Sequence, residues 1–548
     1  MTIALPRDLR SLEFTELTMV ELNDVDVDRL LPHLWELIVK QGRVSTSPKT
    51  ADDYDSYLKS LAANERLDGF TDDHGLRILD GWLRSSVVRI GAKGRGGRYG
   101  TQMDYVLPLT IASYRTGLPK SRSRHRRADT LIYHLLLEEL KRRGVEVPER
   151  NLRETFETAI GAGVQIGPPG RWAPSYDGTS DIDINALLSL YFLEEFEPAA
   201  ARENSQEFRG SAVPGATREL ARDLLDYLAA YAGKITPSAF IDRFAALISL
   251  RLFQLPLRVA RSARHLLKTG EMSDDMREGG SVANPLELYC DFTGVRGSAS
   301  EELARRCVQR DIEIMRGFLP DRLLLRSLRE AMPTLRQRGQ QIRSLPLPES
   351  LAAMAGERDN PLITAYATIK MQAIEEETRA SASGTEDDLE LIESVMNSDT
   401  LSSIEQLAAL LMEGSAGKGL ENQIRWFWST GGIQKPYGLL AGTLRARRTW
   451  RYAPSDDLMF ALLLVCFTRS DGRRTRRRMP IAELLKELHA RFGILIDRPP
   501  AMFENVDNRA AAAANLEAFK RRLQLLGCFD GLSDDFSAQF VQHPLETT

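Results

Sequence analysis

Apolar residues recur at three- and four-residue spacing along most of this 548-residue chain, and stretches that alternate residue by residue are few. Leu131, Leu135, Leu136 and Leu140 form one such stripe; Leu220, Leu224, Leu225 and Leu228 form another. A third runs from Ser238 to Leu267 through Phe240, Phe244, Leu247, Ile248 and Phe253, where Pro256 predicts a break or kink because it lacks an N–H. That period fits a helix and not a strand, so the expected fold class is mainly α and multi-domain. No unit of about 20 to 50 residues repeats, which removes a regular solenoid.

Lys and Arg number 72 against 76 Asp and Glu, a net charge of -4, so any polyanion contact must be local. The most hydrophobic run, Leu458 to Phe467, is shorter than the roughly 18 residues of a membrane span and is bounded by Asp457 and Arg469. No membrane partner is expected. The N-terminal MTIALPRDLRSLEF carries charge where a signal peptide needs an apolar stretch, which makes the cytoplasm the expected compartment. Cys290, Cys307, Cys466 and Cys528 are scattered without a C-x-x-C pair and read as buried thiols.

Pro- and Gly-rich or acidic stretches divide the chain into an N-terminal helical region with basic loops (1–170), a central helical domain (171–375), an acidic linker (376–400) and a C-terminal domain (401–548). From about 454 the order is a helix capped by Ser455, a basic loop, a helix with Pro480 in its first turn, a Pro-Pro loop, a helix near 508–526 and a strand-like pair turning at Gly531 to Asp535. That order predicts a winged-helix-like domain, with Phe536, Ala538 and Phe540 on one strand face; a small helical cap with an irregular tail stands beside it. In the last helix only Arg509 and Asn515 are placed to read bases, so this domain suits protein contact as well as DNA.

Local positive charge is the strongest functional signal. Arg469 to Arg478 holds six arginines against one aspartate, including Arg473, Arg474, Arg476, Arg477 and Arg478. Lys120 to Arg127 holds Lys120, Arg122, Arg124, Arg126, Arg127 and His125 with no acid. Arg89 to Arg98 sets Arg95 and Arg98 among glycines that permit close approach of phosphate. Arg445 to Tyr452 interleaves cations, Arg448 among them, with Trp450 and Tyr452, which either stack on bases or pack. Arg305 to Arg343 adds ten arginines against four acids, to be paired with phosphate or with Glu375, Glu376 and Glu377. For each cluster a solvated face or internal ion pairing is the plainer explanation; what decides is whether the clusters converge in space.

Enzyme signatures are weak. Gly414 to Gly419 lacks the spacing and hydroxyl of a phosphate loop. Asp129, Glu139 and Lys141 resemble the carboxylate set of metal-dependent nucleases but lie in a helical pattern. Asp177, Asp181 and Asp183 either bind a cation or, for Asp183, cap the following helix. The seven histidines show no H-x-x-x-H or H-E-x-x-H spacing, so neither a metal site nor a cofactor is expected. Trp426 and Trp428 read as core rather than as a ligand cage.

Four strings, NPLELYCDFTGVRGSASEELARRC (284–307), GGIQKPYGLLAG (431–442), WRYAPSDDLMFALL (450–463) and ELLKELHARFGILID (483–497), resemble accessory components of bacterial methylation-associated (BREX/DISARM-like) antiphage defence systems. The resemblance covers the last half of the chain and carries no catalytic motif. It implies a non-catalytic subunit that works with a methyltransferase, nuclease or ATPase. Together with the arginine clusters, it gives an expected function of associating with double-stranded DNA and organising partner proteins. A purely protein-binding scaffold and a divergent metal-dependent nuclease are the alternatives.

Overall fold

The computed structural model describes residues 3–45, 54–91, 102–115, 124–168, 172–194, 201–204, 208, 210–281, 283–382, 384–433, 435–469, 472, 474–529 and 539–545. Lys120, Arg122, Arg95, Arg98, Arg473 and the expected turn at 531–535 lie outside them. The described chain is mainly α, as its periodicity predicts. Helices that position the site are α1 (Val27–Val39), α2 (Ala128–Arg142), α3 (Pro148–Ile160), α4 (Pro214–Tyr231), α5 (Pro237–Thr269) and α6 (Ala299–Ala331). Beyond them come α7 (Pro361–Ala380), α8 (Glu386–Met396), α9 (Ser403–Thr430), α10 (Asp456–Phe467), α11 (Ile481–Phe492) and α12 (Val506–Leu525). Short strands join them: β1 (Leu288–Tyr289), β2 (Leu440–Thr443), β3 (Ala446–Tyr452), β4 (Arg478–Pro480), β5 (Ile494–Leu495) and β6 (Phe540–Gln542).

Helix α5 is the axis. Its 33 residues span about 50 Å, and α1, α3, α4, α6, α9 and α10 all pack on it. Such a helix is buried nearly all round, and from Phe244 to Ala260 every residue is, with Arg251 and Arg258 neutralised by partner acids. Of the break or kink expected at Pro256, the break does not occur: the helix runs through it from Pro237 to Thr269. Proline leaves the Leu252 carbonyl without its helical donor, and the indole Nε1 of Trp426 on α9 donates to that carbonyl at 2.9 Å instead. One hydrophobic core runs from Ile3 to Val541, through all three of the expected domains; a second, smaller one gathers Tyr54, Leu79, Val106 and Phe192.

The expected acidic linker at 376–400 is largely helical. Helix α7 continues to Ala380, and α8 starts at a reciprocal cap in which Thr385 and Asp388 bond each other's backbone N–H at 3.2 and 3.1 Å. Glu386, Asp387 and Asp388 sit in the first turn, where the helix dipole favours negative charge, and Ile392 is buried against the neighbouring helices. The acids therefore favour this helix rather than dissolving it.

At the C-terminal end, the Ser455 hydroxyl accepts the Leu458 N–H at 3.2 Å, as its position predicts. Strand β4 pairs antiparallel with β6, and Phe529 bridges Val541, so the three strand segments fall in the order 479, 541, 529. The helices around them are shared with the rest of the molecule: α10, which precedes β4, lies on α5, and α12, which follows it, lies on α6. Parallel pairing of β5 with β1 makes a further tie. It brings Gly493, with φ +64°, so close that a Cβ there would stand 2.2 Å from the Leu286 carbonyl oxygen.

Candidate polyanion-binding cleft

Helix α4 carries Glu219, Asp223 and Asp226 on one face, at intervals of four and three. Opposite them α5 presents Arg251 and Arg258, seven apart, and α11 presents Arg491. Asp223 bonds both Arg251 and Arg491, with side-chain exposures of only 2% for the carboxylate and 3% for Arg251. Arg491 reaches Asp226 at 3.4 Å, Arg143 reaches Asp226 at 2.9 Å and Glu139 at 3.4 Å, and Arg218 meets Glu139 at 3.4 Å. Arg258, 1% exposed, joins Glu219 and Asp275. Burial alone would raise the Asp223 carboxyl, but Arg251 and Arg491 more than reverse this and hold it below the usual carboxylate range. For Asp226 burial prevails over Arg143 and Arg491, and its carboxyl is raised. Charges at helical spacing on otherwise apolar helices were the available signal for this network.

The network floors an open cleft of about 1270 Å³ between α2, α3, α4, α11 and the loop after α10. Six cations line it (Arg143, Arg222, Lys234, Arg469, Arg476, Arg491) with four carboxylates (Glu139, Glu154, Asp226, Glu487), leaving the lining net positive. Arg143, Arg476 and Arg491 are held by acids. Arg222, Lys234 and Arg469 are exposed, and none forms an ion pair with a described residue. Gly472 seats the loop on the network: a Cβ there would stand 2.8 Å from Asp226 Oδ1. Thr468 and Thr475 bridge, and the Arg474 carbonyl accepts the Arg469 N–H at 2.8 Å. Arg476 bonds Glu483, the Arg477 carbonyl accepts the His543 N–H at 2.8 Å, and Arg478 lies 4.8 Å over the Phe540 ring.

The described members of the other expected clusters do not line this cleft. Arg124, Arg126 and Arg127 precede α2 while Arg143 follows it, a separation of roughly 22 Å by helical rise. Arg126 bonds the Asp24 carboxylate at 2.6 Å, and Arg124 approaches the same acid at 3.4 Å. Arg448 lies on β3 with Arg447, beside Arg445 in the β2–β3 turn; all three are exposed and free of ion pairs with described residues. Trp450 and Tyr452 are core: the indole donates to Thr443 and the phenol to Asp311. Along α6 five of the seven arginines pair, with Glu301, Asp311, Glu313, Glu330 and Glu16, whereas Glu375 bonds Arg379 and Glu377 bonds Arg10. A second basic groove, unnoticed in the sequence, lies between α5 and α6, where Arg261, Arg264, His265 and Lys268 line it at helical spacing.

Several candidates resolve as structure. Asn515 is fully buried and cannot read a base, and Arg509 bonds Glu504. Asp183 caps the helix at Ile184–Glu194, accepting from Asn185 and Ala186 at 2.9 and 3.1 Å. Trp426 is core. All four cysteines are buried free thiols, and burial pushes Cys466 up to about 12 and Cys528 up to about 11. Asp129 and Glu139 stand ten positions apart on α2, about 15 Å, too far to share a metal. Glu139 faces arginines, whereas Asp129 meets His125 and His33; histidine spacing could not show this, because His33 comes from a separate helix.

A family model for the methylation-associated defense system protein MAD7 matches residues 7–545. The chain belongs to that family. The match takes in the N-terminal half as well as the C-terminal half on which the resemblance rested, and it makes this a protein of a methylation-associated defence system. No curated protein and no solved structure matches it. No helix among the described residues is long and apolar enough to cross a membrane.

Proposed function

We propose that the protein serves its defence system as a non-catalytic subunit that holds duplex DNA by its phosphates, in the cleft beneath the arginine loop. Arg222, Lys234 and Arg469 carry this reading: three exposed cations from three segments surround one concave surface and pair with no described carboxylate. Phosphate is the ligand chemistry such a rim suits, since arginine binds it as a fork and lysine as a point charge. The contacts would be to backbone rather than base edges, so they position DNA without reading its sequence.

The test is a mobility-shift titration of a duplex across a salt series, with the wild type and an Arg222→Ala, Lys234→Ala, Arg469→Ala triple variant. All three side chains are exposed, so the variant keeps its fold. Each lost phosphate contact lowers the slope of log affinity against log salt by about 0.9, so the triple variant is expected to lose up to about 3. Equal slopes and affinities for the two proteins would overturn the reading. A second reading, docking of a partner protein, is favoured by Met502 and Val506, which are 63% and 79% exposed beside Phe503 at the start of α12. Co-purification with neighbouring defence proteins, unaffected by the triple variant and accompanied by no DNA shift, would favour it.

A further inference from the structure

We propose that His33, His125 and Asp129 form a binding site for one first-row divalent metal ion of the zinc type, clamping the basic segment before α2 onto α1. Their ligand atoms all lie within 4.8 Å of one another. His33 comes from the middle of α1, His125 from the segment before α2 and Asp129 from its first turn. Two imidazoles and one carboxylate are borderline ligands that suit zinc, cobalt, nickel or ferrous ions and suit magnesium or calcium poorly. Three protein ligands leave at least one position for water.

The charge balance at Asp129 is the physical argument. Its side chain is 8% exposed, and the Nδ1 of His125 approaches it at 2.7 Å. Arginines flank the site in sequence, yet no guanidinium of a described residue pairs with this carboxylate. Arg126 and Arg124 turn instead to Asp24. The buried anion is thus left to two imidazoles, whose ring centroids lie 4.6 Å apart. Buried carboxylates are stable where a cation or metal balances them, and a divalent ion between these three groups supplies that balance. Arg124, Arg126 and Arg127, beside His125, all have positive φ, at 47°, 51° and 66°, a conformation that non-glycine residues rarely adopt. Tetrahedral ligands at about 2.0–2.1 Å from a metal stand about 3.3 Å apart, so binding separates His125 from Asp129 slightly and draws the more distant donors inward.

The full-length chain, stripped with chelator, is titrated with Co²⁺ and, in parallel, with Zn²⁺ by calorimetry. One equivalent is expected to bind, giving the visible bands of low-coordinate cobalt, and Zn²⁺ should displace it. His33→Ala, His125→Ala and Asp129→Asn should each weaken uptake at least tenfold, with metal-free melting curves showing which variants fold. Independently of any variant, metal should protect His33 and His125 of the wild type from diethyl pyrocarbonate, read by mass spectrometry, while His74 stays reactive. Absence of saturable uptake by the wild type, or uptake unchanged in a folded His125→Ala protein, would overturn the assignment and leave an imidazolium–carboxylate pair.

Discussion

Asn515 on α12 ties its helix to two other segments, at 290–292 and at 496. Its amide oxygen accepts the Phe292 N–H at 2.7 Å, and its amide nitrogen donates to the carbonyls of Cys290 and Ile496 at 2.9 and 3.0 Å. The residue is fully buried, so these bonds form away from water. Asn515→Ala orphans one N–H and two carbonyls, each costing about 1–3 kcal/mol where it cannot be rehydrated. With partial relaxation, the expected loss is about 3 kcal/mol in urea unfolding. Arg509→Ala on the same helix removes only an exposed pair with Glu504 and should cost less than about 1 kcal/mol. Equal effects would mean that the amide is not the tie the geometry describes. The polar type of Asn515 was visible in the sequence, but whether an asparagine on a helix faces a groove of DNA or three backbone groups depends on tertiary partners, two of them more than 200 residues away.

At the scale of elements, α5 survives its internal proline because another helix repairs it. Trp426→Phe keeps most of the ring but removes the N–H that satisfies the Leu252 carbonyl, and it should destabilise the protein by about 1–3 kcal/mol. Pro256→Ala restores a helical donor to the same carbonyl. In that background Trp426→Phe should cost measurably less, and the difference in a double-mutant cycle reports the coupling. Additive effects would show that the indole stabilises by packing alone. The same pair explains what could be read in advance. The extent of α10, with its Ser455 cap, follows from local signals, as does the mainly α class. The fate of Pro256 does not, since the repair comes from about 170 residues away. Nor does the helicity of 386–396: its acidic composition matches a linker, and only the burial of Ile392 and the Thr385 cap distinguish a docked helix.

Over the whole molecule, the arginine count overstates the charge available for ligands, because many guanidiniums hold the fold together. The network of Asp223, Arg251 and Arg491 joins α4, α5 and α11, and so fastens the C-terminal segment to the central axis. Breaking a buried pair from one side strands the other charge, at a cost of about 3–5 kcal/mol. Asp223→Asn should lower the urea-unfolding free energy by about that much at pH 7. The sign with pH follows from the carboxyl's position below the usual range. Its contribution is complete above the unfolded-state value, near 3.9 for an aspartate, and is lost as pH falls through the lower folded-state value. Asp226, raised by burial, binds its proton earlier in the folded state and works in the opposite direction on the way down. The gap between the wild type and Asp223→Asn should therefore hold steady above about pH 4, begin to close as pH falls below it, and vanish only below the lower folded-state value, where protonation abolishes the charge that the substitution removes. A gap that stays constant from pH 7 to pH 3 would place the role of Asp223 in shape and hydrogen bonding. The cleft floor would then owe little to ionic balance.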